Sequence, residues 1–238
     1  MQSSLDFGKV VGKAFSTLFS NAPFFLAISL LASIPPVLLE SIPDPGVVMM
    51  LAGLSMVWSC ILQGTSIHFV WRRLEGHSSS LSQSLAFACS RTIPLTVTFI
   101  LNTIWVMVGF LLLIVPGILW AVHMLLGMVA VIVEGRSGAD ALRRSKDLVY
   151  VNRSKFANVA IGLPLLLCLP IIGFSAVNFS FLDASNHQVY SLVSSVLTTF
   201  LFHAFNIALV ELFLRLRERQ EGVEAKNEDI GFTPFSEG

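Results

Sequence analysis

Six apolar segments, near 22–40, 47–70, 94–115, 118–133, 157–178 and 190–213, constrain this chain more than any other feature. Each is long enough, or nearly so, to cross the roughly 30 Å hydrocarbon layer of a bilayer. Lipid offers no partner to backbone polar groups, so only helices and closed barrels can span it. The runs are continuous rather than strictly alternating, which predicts helices. Composition agrees: 54% of the residues are hydrophobic and only 13% charged, against about 25% charged in an ordinary soluble domain.

The cations predict which side is which. Lys9 and Lys13 precede the first run, Arg72, Arg73 and Arg91 lie between the second and third, and Arg136, Arg143, Arg144, Lys146, Arg153 and Lys155 lie between the fourth and fifth. Arg215, Arg217, Arg219 and Lys226 follow the sixth, so all 15 Lys and Arg fall on one side of a six-span alternation. The loops on the other side, "ESIPDPG", "VPG" and "SFLDASNHQ", have none. Positive charge stays inside, so both termini and the basic loops are expected in the cytoplasm. The expected fold is an all-α polytopic membrane protein of a bacterial cytoplasmic membrane, with six transmembrane helices in three hairpins. The first run is expected to stay as a span, since no clear cleavage site follows it.

Each cytoplasmic segment before an odd-numbered span reads as a short amphipathic helix. Phe7, Val11, Ala14, Phe15, Leu18 and Phe19 share one face of the first; Leu81, Leu85 and Ala88 recur in the second, with Ser80 as N-cap. In the third, Ala141, Leu142, Ser145, Leu148 and Val149 oppose Arg143, Lys146 and Asp147. Such stripes suit either the acyl chains beneath the headgroups or the protein's own spans. "EGHS" at 75–78 and "EGRS" at 134–137 stand 59 residues apart, each after an even-numbered span. They suggest a six-span domain over 1–219 made of three parallel units, about 1–74, 75–133 and 134–219, each an interfacial helix plus a hairpin. The polar stretch 220–238 reads as a disordered cytoplasmic tail.

Polar residues within spans are costly and are the first places to look for function. Gln63 and His68 fall in the second run, Asn102 in the third and His123 in the fourth. His203, Asn206 and Glu211 of the sixth run share an arc of about 140° at 100° per residue. With His123 opposite, they form a candidate intramembrane polar site, read either as a solute or proton path or as hydrogen bonding between spans. Glu211 lies one turn before Arg215 and can also pair with it. The three cysteines form no CxxC motif, and no HExxH, GxSxG or GxxxxGK[ST] motif occurs. No catalytic residue, metal or cofactor is expected, and the zero net charge gives no footprint for nucleic acid.

One stretch carries a family resemblance. "VPGILW", a span ending "VAVIVEG", and "SGADALRRSKDLVYVNRSKF" follow one another between Val115 and Asn158. The pattern of Pro116, Gly117, Glu134, Gly135, Ala141, Leu142 and Ser145 resembles the membrane domain that some bacterial glycerophosphoryl diester phosphodiesterases carry. It also resembles uncharacterised bacterial inner-membrane proteins of the YciC type. The catalytic barrel of those phosphodiesterases finds no counterpart here, so the resemblance implies a membrane domain without that activity and supplies no catalytic residue. The expected role is a non-enzymatic membrane- or lipid-associated scaffold or regulatory module, the alternative a small transporter with a polar path between the fourth and sixth spans. Membrane lipids, anionic ones in particular, are the expected partners, met by Arg143, Arg144, Lys146, Arg153 and Lys155.

Overall fold

A computed structural model describes residues 7–40, 42–112, 125–151 and 187–229. These form α1 (Phe7–Ser20), α2 (Ala22–Glu40), α3 (Pro45–Leu74), α4 (Leu81–Ser90), α5 (Thr92–Leu112), α6 (Gly127–Val133), α7 (Gly138–Val151) and α8 (His187–Asp229). No strand occurs among the described residues. Four helices are long and apolar enough to cross a membrane: Ala22–Leu39, Pro45–Leu74, Thr92–Leu112 and Leu192–Gly222. They coincide with the first, second, third and sixth expected spans. The start of the fourth span and the whole fifth lie outside the described residues, and so do Pro116, Gly117, His123, Arg153 and Lys155.

Local chemistry sets the boundaries. Asp44 caps α3 by accepting from Gly46 N at 2.7 Å and Val47 N at 3.2 Å, and Pro45 follows where a helix needs no donor. Ser80 caps α4 as expected: its hydroxyl accepts from Gln83 N while the Gln83 side chain accepts from Ser80 N. The Glu-Gly pairs that echo in sequence do the same work. Gly76 (φ 81°) and Gly135 (φ 69°) sit just beyond the ends of α3 and α6 in the left-handed region, where a Cβ is costly.

Two prolines, Pro35 and Pro36, interrupt α2, and the gap left by the first is filled from outside. Pro35 has no N–H for the Leu31 carbonyl, and Trp58 Nε1 of α3 donates to that oxygen at 3.0 Å. The side chain thus supplies a bond that lipid cannot.

Helix packing follows a regular scheme. Each short helix lies against a long apolar one: α1 on α8, α4 on α3, and α7 on α6 and α5. The long helices α3 and α8 also pack on each other, on α2 and on α6. Two glycines make this closeness possible. A Cβ on Gly64 of α3 would lie 2.6 Å from Leu95 Cδ1 and 3.4 Å from Ala88 Cβ, and one on Gly127 of α6 would lie 2.8 Å from Leu142 Cδ2. Small residues at crossings let backbones approach where water supplies no driving force.

The amphipathic stripes face the protein rather than the acyl chains. Val10, Ala14 and Leu18 of α1, Ser84 and Ala88 of α4, and Ala141, Leu142, Ser145, Leu148 and Val149 of α7 are all buried. The α1 stripe is rotated from its expected position, with Val10 at its centre and Phe19 63% exposed. Burial is concentrated in the halves of the spans nearest the cations. It runs from Cys60 to Val70 in α3 and from His203 to Phe213 in α8, whereas Met49 and Leu111 at the opposite ends are 79% and 87% exposed. Among the described residues, the packed part of the bundle therefore lies on the side carrying the cations. One sequence expectation changes at the C-terminus. The helix α8 continues to Asp229, where the sequence predicts a disordered tail from residue 220. Its run "RLRERQEGVEAKNED" is mostly strong helix formers, with Arg217 reaching Glu221 one turn on at 3.5 Å.

Candidate functional site

The intramembrane polar residues separate into two places. Glu211 is buried in α8, with its carboxylate shared between two cations. Lys13 Nζ of α1 is 2.7 Å from Oε2 and 2.8 Å from Oε1, and the Arg215 guanidinium donates to Oε1 at 2.7 and 2.8 Å. The pair with Arg215 is the i, i+4 contact that the sequence offers. The pair with Lys13 joins the two ends of the described chain, 198 residues apart.

Four further arginines tie the same end of the bundle. Arg144 of α7 donates through Nε to both oxygens of Glu134 at 2.9 and 3.0 Å, and through Nη1 to Gln220 of α8 at 2.8 Å. Arg136 shares Glu134 at 2.8 Å. Arg73 donates to Asn21 Oδ1 at the α1–α2 corner, and Arg91 to the Gly135 carbonyl from the α4–α5 corner. Of the expected headgroup cations, Arg144 is thus turned inward on a carboxylate. Arg143 and Lys146 remain exposed, on a face that also exposes Asp140 and Asp147.

The motif residues that carry the family resemblance have structural tasks. Ser145 Oγ accepts from Leu126 N at 3.1 Å, capping the start of α6 inside the protein. Leu142 covers Gly127, and Thr98 Oγ1 of α5 accepts from Gly138 N at 2.9 Å, satisfying the entry to α7. Ala141 is fully buried. Glu134 takes the two arginines, and Gly135 the left-handed turn.

The second place lies deeper. His203 is 3% exposed, its ring 5.2 Å from that of Phe25 and its Nδ1 3.1 Å from Ser66 Oγ of α3. Asn206, also 3% exposed, is one turn further on. Both line a cavity of about 370 Å³ between α2, α3, α5 and α8, which Gln63, Ala32 and Pro36 help to enclose. A second cavity of about 280 Å³ reaches Asn102, Met128 and Leu209. Gln63, Phe99 and Asn206 border both. Glu211 borders neither cavity, so the expected foursome of His123, His203, Asn206 and Glu211 is not one cluster; His123 lies outside the described residues. His68, by contrast, meets Ser84 Oγ of α4 at 3.2 Å and stacks on Phe87 at 4.3 Å. Sequence reading missed Ser66 and Lys13, since a serine in an apolar run and a lysine far along the chain announce no partner.

No family model matches the chain, and no solved structure matches it. Two curated relatives do. It is 26% identical over 163 residues to a UPF0259 membrane protein of Pectobacterium carotovorum, covering 68% of this chain and 63% of that protein. It is 26% identical over 155 residues to a UPF0259 membrane protein of Photorhabdus laumondii, covering 63% and 58%. The chain thus matches less than two thirds of the length of these relatives. Taken with the four spanning helices, the likeness decides one point. This is a multi-pass bacterial membrane protein. Neither relative is named as an enzyme, and neither as a phosphodiesterase.

Proposed function

We propose that the chain is a non-enzymatic, six-span module of the bacterial cytoplasmic membrane with both termini inside, serving as a scaffold or regulatory body rather than as a conduit. The observation that carries this reading is Glu211. A carboxylate working in a solute or proton path needs to be free to change partners, and this one is buried between Lys13 and Arg215. Neutralised in that way, it holds α1 on α8 and seals the end where the cations lie. The permease reading, with a path between the fourth and sixth spans, loses its one carboxylate.

The body is read as three cyclically packed units. The interfacial helix of each lies on the second span of the unit before it, with α1 on α8 closing the ring. Buried positions support this equivalence: Ala14, Leu18 and Phe25 in the first unit correspond to Ser84, Ala88 and Leu95 in the second. The resemblance to phosphodiesterase membrane domains belongs to this proposal as well, as an accessory body without the catalytic barrel. Lipid contact through the described headgroup residues falls to Arg143 and Lys146, with about 1 kcal/mol per cation near an anionic surface.

Proteoliposomes test the reading. With a trapped pH dye, vesicles holding the wild type and Glu211→Gln should dissipate a proton gradient no faster than empty ones. A flux present in the wild type and lost in Glu211→Gln would establish the permease instead. In the same preparation, replacing Arg143 and Lys146 with Gln should lower the share of anionic lipid that co-purifies.

A further inference from the structure

The arginines at the tied end of the bundle fall into two groups by the partner each meets. Arg136, Arg144 and Arg215 lie on carboxylates, the first two on Glu134 and the third on Glu211. Arg73 and Arg91 do not. Arg73 donates through Nε at 3.2 Å and Nη2 at 3.0 Å to the amide oxygen of Asn21, and its guanidinium lies 5.9 Å from the Phe69 ring. Arg91 donates through Nη1 at 3.3 Å to the Gly135 carbonyl and lies 5.8 Å from the Phe87 ring. All of these partners are neutral, and neither guanidinium is ion-paired among the described residues. An arginine in a protein stays protonated, so each of the two carries a full positive charge that no described carboxylate cancels.

The two ties have the same place in the fold. Asn21 is the single residue between α1 and α2, and Arg91 the single residue between α4 and α5. Each is joined to the end of another helix, Asn21 to the last turn of α3 and Arg91 to the turn after α6. The arginine comes from opposite sides of the two ties, so no sequence motif marks them. Arg73 lies in the last turn of a helix of spanning length, Pro45–Leu74, and Arg91 directly precedes another, Thr92–Leu112. Both charges thus sit where an apolar span gives way to lipid headgroups. Arg73 is exposed and Arg91 half-buried, so both can be reached. Of the five N–H groups of a guanidinium, three on Arg73 and four on Arg91 have no acceptor among the described residues. The aromatic ring and the neutral oxygen already order each side chain, so a ligand meets oriented donors at little further cost in rotamer freedom. A planar fork of this kind matches two oxygens of one phosphate.

We infer that the two junctions are binding sites for the phosphate of an anionic phospholipid, one lipid at each, held by Arg73 beside Asn21 and by Arg91 beside Gly135. These sites add to the lipid contacts of Arg143 and Lys146 on α7 and rest neither on those contacts nor on the scaffold reading. They hold whichever side of the membrane the junctions face.

The test uses the full chain in detergent, titrated with phosphatidylglycerol and read by native mass spectrometry. Two molecules should bind ahead of all others, and phosphatidylcholine, whose ammonium group offsets its phosphate, at least about tenfold more weakly. Asn21→Asp places a carboxylate on Arg73 while keeping the tie. It should weaken one of the two sites about tenfold and leave the melting midpoint unchanged or higher, a combination that a merely structural tie would not give. Arg91→Lys keeps the charge but loses the fork, and should weaken the other site about tenfold. Arg143→Gln with Lys146→Gln should leave both sites in place, and loss of either one there overturns the proposal. Equal binding of the two lipids overturns it as well, and so does an Asn21→Asp variant that holds both molecules as tightly as the wild type. Displacement by inorganic phosphate at equal concentration would make the junctions sites for a free anion and overturns the assignment to lipid. The comparison of the two lipids is made on the wild type and remains decisive if a variant fails to fold.

Discussion

The contact between Lys13 and Glu211 is the most exacting test of the packed end. Glu211 has only 4% of its side chain exposed, Arg215 20% and Lys13 49%. Removing one partner of a buried pair costs about 3–5 kcal/mol, because the other charge is left uncompensated. Here the cost is smaller on both sides. After Glu211→Gln, the half-exposed Lys13 turns to water and only Arg215 is stranded, so about 2–3 kcal/mol is expected. After Lys13→Met, Glu211 keeps Arg215 and α1 keeps its apolar stripe, so about 1 kcal/mol is expected, near the upper end for exposed pairs. In a chain of this size 1 kcal/mol moves a melting midpoint by roughly 2–4 °C. Glu211→Gln should then fall by about 5–10 °C and Lys13→Met by about 2–4 °C.

The double variant supplies the decisive number. Residues in direct contact couple by about 0.5–3 kcal/mol, whereas independent ones add within about 0.5. Tryptophan fluorescence in detergent micelles, read for the wild type, both single variants and the double variant, completes the cycle. The double variant should melt close to Glu211→Gln alone, since Lys13 has nothing left to hold. Added salt should change little, as the carboxylate is shielded from solvent ions. Strict additivity of the two single effects would refute the claim that this pair fastens α1 to α8. An unchanged midpoint for Glu211→Gln would refute it more simply.

Ser145→Ala strips the Leu126 N–H of its acceptor in a buried place, and a thermal melt should show a loss of about 1–3 kcal/mol, with Ser145→Thr retaining part of it. Gly127→Val pushes a branched side chain onto Leu142 Cδ2, already 2.8 Å from the position of a Cβ, and should cost about 1–3 kcal/mol by the same assay. Trp58→Phe removes the donor to the Leu31 carbonyl at the proline break in α2; a loss of about 1 kcal/mol is expected. Orientation is checked by thiol labelling in intact cells, in a background with Cys89→Ser because Cys89 is exposed. His77→Cys should react only after the cells are opened and Asp44→Cys before, and the reverse pattern would invert the topology.

The sequence made the four described spans legible because they follow from transfer free energy, which is a property of single residues. The capping of α4 by Ser80 was legible for a related reason: the interacting groups are a few residues apart. What stayed hidden is which face of each helix meets protein. Spans α2 and α5 are apolar all round, and lipid tails are as apolar as leucine, so hydrophobicity cannot distinguish the two surroundings. The same ambiguity kept two readings open for the stripe of α7, where the deciding residue is polar. Ser145 lies in the middle of that stripe, and a hydroxyl among acyl chains would have no partner, whereas against α6 it meets the Leu126 N–H. Read with that rule, Ser84 in the stripe of α4 carries the same information: it packs inward and bonds Ser79 at 2.7 Å as well as His68. A small polar residue within an apolar stripe therefore marks a face packed on protein. No such local mark exists for the contacts of Lys13 with Glu211 or Ser66 with His203. Their partners are 198 and 137 residues apart, and each is a residue type that has several possible partners along the chain. The cavity beside His203 lies where α2, α3, α5 and α8 meet, which is a consequence of packing and has no counterpart in any single stretch of sequence.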